Sequence, residues 1–386
     1  MRCRAAIHLL SLLPLLASCA TGKEQLQING EGGEPEELVD FVPSVKVEEI
    51  WSRDFGQIDE KKFIKLEPYL EDGVIYAADS SGKITAYSEK RGKTIWRAKV
   101  KQPVTGAVGL GEQNVLLGTS KGKVIALDKK TGKQQWERAV SSEILVPPVE
   151  AAGIVIVQAI DGKIVGLSAR DGSIKWVQTQ TEPSLSLRGT ATPIVFQGVV
   201  LTGMANGSVI AVNLSDGRLI WNLPVATPQG RNEIERLVDV DAPPVIHNGL
   251  LFAGSYQGKV VAISLRTGRT AWSREISTYT GLAADRSNIY LTDDDSNVIA
   301  LDQNSGSVIW RYEKLRGRKL NAPVVTRDYV VVGDLDGYVH WLKKDDGSMA
   351  ARYRVAGSAI RAKALVNGDV LYVSNLDGKL KALRWH

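Results

Sequence analysis

One motif recurs eight times along this 386-residue chain: a Gly-centred turn, a strand reading Val/Ile/Leu-x-Ala-Leu, and about ten residues later a Gly-x-x-x-Trp step. The first five copies open at Gly82, Gly122, Gly162, Gly207 and Gly258. Each continues to a second glycine and a tryptophan, in order Gly92 and Trp96, Gly132 and Trp136, Gly172 and Trp176, Gly217 and Trp221, Gly268 and Trp272. The sixth opens on Asn297 and reaches Gly306 and Trp310, and the seventh runs from Gly337 to Gly347 with Ala351 in place of the tryptophan. The eighth starts at Gly378 and meets the C-terminus at His386.

A period near 40 residues, built from short alternating strands and glycine turns, gives a β-propeller with one four-stranded sheet per blade. A single sheet of this size cannot bury its own apolar face, so each unit must stack on its neighbours. In the fifth unit, residues 243–248, 250–256, 259–265 and 270–275 read as strands A to D, with Gly, Asn and Gln in the turns. No long stretch carries helical periodicity.

The eighth unit supplies only three strands before the chain stops. The run at 47–52 (VEEIWS) reads as a strand D without a blade of its own. Pairing it into the last blade joins the chain ends and removes an exposed edge. The predicted fold is therefore all-β, an eight-bladed β-propeller over residues 45–386 whose last blade is closed by the N-terminal strand. Each strand-D tryptophan reads as packing between blades, where a ring buries roughly 150–250 Å², on the order of 4–6 kcal/mol as an upper bound.

Charge excludes some partners. The net charge is +5, with Arg2 and Arg4 in the leader, and no basic stripe with interleaved aromatics is present, so nucleic acid is not an expected partner. Residues 1–18 form a signal peptide: a basic start, then a mostly apolar run too short to span a bilayer, ending Leu16-Ala17-Ser18-Cys19. That tetrapeptide resembles a bacterial lipobox, so Cys19 is the expected lipid attachment site. With Cys3 in the leader, no disulfide is expected in the mature chain. Stable attachment takes more than one acyl chain, and Ala20 after the cysteine, by resemblance to lipoprotein sorting, points to the outer membrane. Residues 19–44 are polar and acidic and read as a flexible tether that holds the propeller close to the periplasmic face.

Catalytic residues are not found. His8, His247, His340 and His386 are isolated from one another, and no spacing of His, Cys or carboxylates matches a metal site. Nucleophile elbows, phosphate loops and dinucleotide fingerprints are missing. Asp293, Asp294 and Asp295 read as a solvated turn. The run at 126–136 (ALDKKTGKQQW) resembles the tryptophan-docking motif of quinoprotein dehydrogenases, eight-bladed enzymes that hold pyrroloquinoline quinone and calcium. That motif is the docking device of the fold, and fold does not carry function. The vicinal cysteine pair, the long insertions and the calcium set of those enzymes are absent, so no cofactor is expected. A quinoprotein oxidoreductase is the alternative reading, and a lipoprotein propeller with another protein partner is a second.

The spacing carries the informative deviations. Trp136 to Pro147 takes 11 residues, but Trp176 to Pro193 takes 17 and Trp221 to Pro243 takes 22. Two consecutive blade-to-blade connections are thus expanded, and both lie on the face that carries the B–C turns. They contain Leu185, Leu187 and Arg188 in the first and Ile234, Arg236, Leu237, Val238, Asp239 and Asp241 in the second. Apolar anchors mixed with charges on a rigid scaffold suit a binding surface. Equally, the leucines can fold back on the propeller while Arg188 pairs with Asp239 or Asp241.

The runs at 183–189 (PSLSLRG) and 233–245 (EIERLVDVDAPPV) closely resemble the two signature loops of the BamB family, lipoproteins of the outer-membrane β-barrel assembly (BAM) machinery. The resemblance covers the mature chain: lipobox, acidic tether, eight repeats and both insertions. In that family the loops bind a periplasmic POTRA domain of BamA, the barrel-forming subunit. By motif match, the resemblance implies Leu185, Leu187, Arg188, Asp239 and Asp241 as contacts. It implies a non-enzymatic scaffold that assists delivery and insertion of outer-membrane proteins. Direct pairing of blade edges with unfolded client strands is one proposed mechanism. Charged outer strands such as residues 174–177 (IKWV) discourage it.

Overall fold

In a computed structural model, the described residues are 34–386 apart from 60, 62, 63, 184, 188, 189 and 230. The expected signal peptide, Cys19, the start of the tether and Arg188 lie outside them. Eight antiparallel four-stranded sheets follow one another. Seven are meanders of consecutive strands, as in blade 5: Val245–His247, Leu250–Gly254, Val260–Ser264 and Arg269–Arg274. The eighth takes Leu365–Asn367, Val370–Ser374 and Lys379–Trp385 from the C-terminus and Val47–Asp54 from the N-terminus. The closing strand runs antiparallel to the last one, with Val47 opposite Trp385 and Asp54 opposite Lys379. The eight-bladed fold and its N-terminal closure match the expectation from the repeats.

The Gly-x-x-x-Trp step has a direct physical cause. In each repeat the tryptophan stands opposite a small residue of strand C, Ala86 with Trp96 or Gly166 with Trp176, and one strand bulges just beyond that pair. The bulge raises the local twist and re-aims the ring out of its own blade. The ring then lies on the C–D turn of the next blade. A Cβ built on Gly92, Gly132, Gly172, Gly217, Gly306 or Gly347 would stand 2.5–2.7 Å from the ring of Trp51, Trp96, Trp136, Trp176, Trp272 or Trp310. Those glycines also have φ between +61° and +72°, a conformation that disfavours side chains. Each of the six indoles donates to a backbone carbonyl of the turn it covers, at 2.7–3.0 Å.

Two positions depart from the rule. Trp221 keeps its register opposite Ala211 but is only partly buried, and nothing lies within 4 Å of a Cβ built on Gly268, the turn it should cover. In blade 7 the pair is inverted: Trp341, fully buried, occupies strand C and Ala351 faces it from strand D. The inversion follows from ring closure. Blade 8 has no C–D turn, because its strand D is Val47–Asp54 and does not follow its strand C, Lys379–Trp385, in sequence, so a tryptophan at position 351 would have no glycine to dock on. Val45 fills that seam, packing in one cluster with Trp341, Ala350 and Ala351.

Residues within the expected tether are also placed. Residues 36–44 lie against blades 6 and 7: Glu36 N donates to Arg316 O, Leu38 packs on the core between those blades, and Ser44 N donates to Ala350 O.

Candidate partner-binding face

In an antiparallel meander the B–C turns and the D–A connections share one face of the ring, and the A–B and C–D turns share the other. On the first face, the B–C turns are fixed by a recurring side-chain cap that sequence reading did not find. Asp79, Thr119, Ser255, Asp293, Asp334 and Asn375 each accept the backbone N–H four residues on, at 2.7–2.9 Å. Asp293 is thereby a turn cap, which also accepts from Asn297 Nδ2. Six of the eight B–C turns carry this cap, Ala159 and Met204 standing at the position in blades 3 and 4, and the two long connections are laid on this face.

The second connection folds back along its C-terminal half. Leu237, Val238, Val240 and Ala242 are buried, Val240 N donates to Met204 O, and Tyr256 N donates to Asp239 O, so residues 237–242 cross the B–C turns of blades 4 and 5. Glycine is needed under this crossing: a Cβ on Gly203 would meet Val240 O at 2.2 Å. The N-terminal half projects as a local turn in which Glu235 N is capped by Asn232 Oδ1 and the Glu235 carboxylate returns to Arg231 N and Asn232 Nδ2. Ile234 on that turn is 44 % exposed.

Asp239 ties the two connections together. Its side chain is fully buried, and Leu187 N donates to its Oδ2. The first connection is held again by Glu182, which accepts from the backbone N–H groups of Ala205 and Asn206, while Asn206 Nδ2 donates to Thr181 O. Leu185 is 42 % exposed beside a half-buried Leu187. The structure thus brings Leu185, Leu187 and Asp239 into one assembly. Asp241 is adjacent, a partly exposed residue with a buried Oδ1.

The electrostatics are those of crowded carboxylates. Burial, and then the neighbouring Asp239, push the Glu182 carboxyl up to about 7. Burial pushes Asp239 up against the opposing Leu187 N–H, and burial with Asp239 beside it pushes Asp241 up further, with Lys65 opposing. Glu182 Oε2, Asp239 Oδ1 and Asp241 Oδ1 have no hydrogen-bond partner among the described residues. Raised pKa values leave this cluster with less than its full negative charge near neutral pH. Glu182 was not singled out from sequence, because an isolated acid in a polar loop has no periodic signal.

Enzymatic constellations do not assemble among the described residues. His340 Nε2 lies 3.0 Å from Asp334 Oδ2, but both side chains are fully buried and Asp334 is paired with Arg318 Nε at 2.8 Å, so no substrate reaches them. No group of three or more His, Cys, Asp or Glu is arranged to hold a metal among those residues.

Residues 48–312 match the family model described as outer membrane protein assembly factor BamB. Over 384 residues, 99 % of this chain and 98 % of the relative, the chain is 43 % identical to the outer membrane protein assembly factor BamB of Alkalilimnicola ehrlichii. With that of Pseudomonas aeruginosa it shares 47 % over 348 residues, 90 % of this chain and 92 % of the relative. The crystal structure of BamB from Moraxella catarrhalis superposes with a TM-score of 0.81 at 29 % identity, covering 88 % of this chain and 100 % of that one. A quinohemoprotein alcohol dehydrogenase from Comamonas testosteroni superposes with a TM-score of 0.71 at 13 % identity, over 88 % of this chain and 76 % of that one, a likeness of fold alone. Coverage of both lengths nearly end to end places the chain in the BamB family of outer membrane protein assembly factors.

Proposed function

We propose that this propeller is a scaffold subunit of the outer-membrane β-barrel assembly machinery whose loop face holds a POTRA domain of a BamA-type barrel protein. It performs no reaction of its own, and a lipid on Cys19 attaches it to the outer membrane with the propeller in the periplasm. Leu185 and Leu187 are the apolar anchors and Arg188 the polar contact. Asp239 acts through the loop, holding Leu187 N, and Asp241 supports the same loop beside it. The observation that carries the reading is the bond from Leu187 N to Asp239, which laces two expanded connections into one surface while leaving Leu185 exposed. An exposed leucine on a loop fixed by a buried carboxylate is a preorganised anchor.

The test is binding of purified POTRA domains to the wild type and to the Leu185→Ala/Leu187→Ala variant, with circular dichroism melts as the folding control. Loss of two central anchors is expected to weaken binding at least about tenfold. Unchanged affinity in a normally melting variant would place the interface elsewhere.

A further inference from the structure

We propose that residues 36–45 form a strap that seals the ring at its closure seam and fixes the point where the N-terminal chain leaves the propeller on the loop face, so that a membrane-held chain turns its partner-binding loops toward the membrane. The proposal rests on the reading that Cys19 carries the lipid.

The path of the strap is set by its end contacts. Ser44 N bonds to Ala350 O, at the start of strand D of blade 7, beside the C–D turn and therefore on the face opposite the long loops. Glu36 N bonds to Arg316 O, in the connection between strand D of blade 6 and strand A of blade 7, on the loop face. Between these ends the strap crosses the thickness of the blade, roughly 20 Å for a six-residue strand. Without it, the chain would depart at Val45, from the other face.

Two arginines clamp the crossing. Arg318 Nη1 donates to Glu36 O and Arg352 Nη2 to Val39 O, while the Arg352 guanidinium stands 5.1 Å from the centre of the Phe41 ring. Neither arginine is a loose surface group. Arg318 is buried in ion pairs with Asp334 and Asp336, and Arg352 Nε lies 3.4 Å from His340 Nδ1 of the same network. Burial pushes the Asp334 carboxyl up, but His340 and Arg318 outweigh that and hold it below the usual carboxylate range, so it stays charged against the arginine. A cation already ordered by buried partners holds a carbonyl with little further loss of side-chain entropy. The strap also takes the volume that ring closure leaves open, because blade 7 lacks a docking tryptophan and Val45 packs there instead. Departure from the loop face is thus tied to the packing that completes the ring.

The full-length lipidated protein, reconstituted in phosphatidylethanolamine/phosphatidylglycerol vesicles carrying a nitroxide-labelled lipid, reads this directly. A dye is placed at Lys121→Cys, on an exposed B–C turn, or at Lys130→Cys, on an exposed C–D turn of the same blade. Stronger quenching at 121 than at 130 is expected, and loss of that difference in the Phe41→Ala/Arg352→Ala variant. Adding Glu36→Cys/Arg316→Cys to that variant is expected to form a disulfide across the strap's outer end and restore the difference. Equal quenching of the two dyes in the floating wild type, or a difference untouched by the strap variant, would overturn the strap. A protein that does not float with the vesicles overturns the anchor reading beneath it, and the proposal with it.

Discussion

The junctions between blades are not equivalent, and one pair of substitutions separates them. Trp176 is 7 % exposed, donates to Leu214 O at 2.9 Å, and covers Gly217 so closely that a Cβ there would stand 2.5 Å from the ring. Trp176→Ala should cost about 3–5 kcal/mol for the ring and the cavity it leaves, with about 1 kcal/mol of that traceable to the hydrogen bond. Trp221 has the same register, but its ring is half-buried and does not rest on Gly268. Partial burial without a docking contact is worth only about 1–2 kcal/mol. The glycines give an independent measure. Gly217 and Gly268 have φ of +71° and +65°, so either alanine meets the left-handed penalty of about 1–2 kcal/mol. Only Gly217→Ala also strikes a ring. Urea titrations followed by far-ultraviolet circular dichroism give the midpoints without relying on the deleted indole, and an unchanged slope m confirms that stability alone has moved. Equal costs for Trp176→Ala and Trp221→Ala, or for the two glycine variants, would refute the argument that docking on the next blade's turn is the stabilising contact.

Glu182, Asp239 and Asp241 have folded-state pKa values raised by burial, Glu182 to about 7, so the folded loops bind protons that the unfolded chain releases near its ordinary carboxylate range. The stability these three groups contribute should therefore grow as pH falls from about 8 and level off below about 4; the difference between thermal melts of the wild type and of Glu182→Gln/Asp241→Asn should change across that window, and a difference that does not vary with pH would refute the assignment. Cys19→Ala should give an unprocessed or soluble periplasmic protein with the propeller intact, and labelled palmitate still entering that variant would sink the anchor reading. Asp239→Asn and Leu187→Ala should weaken POTRA binding by less together than the sum of their separate effects, because the carboxylate acts through the leucine's backbone; strict additivity would make Asp239 an independent contact.

The ring was legible because its causes are local and repeated. A glycine with positive φ, a small residue in strand C and a tryptophan in strand D are each visible in one repeat, and eight copies average out the noise of any single one. The exceptions were visible as letters but not as geometry. Ala351 stood out as a missing tryptophan, yet its reason is the absent C–D turn of blade 8, and the compensating ring, Trp341, lies in the opposite strand. Trp221 gave no warning, since its repeat is intact and only its docking fails.

The candidate face was legible in outline because expanded spacing marks a loop that the repeat does not require. What the loops do to each other was not, since the bond from Leu187 N to Asp239 spans 52 residues of sequence and no local rule selects Asp239 over Asp241 for burial. The composition of residues 34–44 misled for a related reason. Four acids and few apolar residues describe a segment unable to fold alone, but this segment does not fold alone. Two of its carbonyls are taken by Arg318 and Arg352, about three hundred residues away, Leu38 and Phe41 meet partners on the ring as Val45 does just beyond, and Val39 and Val42 stay exposed. Sparse apolar positions suffice when the surface that receives them is already built, which is why a segment's composition sets the limits of its own folding and not of its docking.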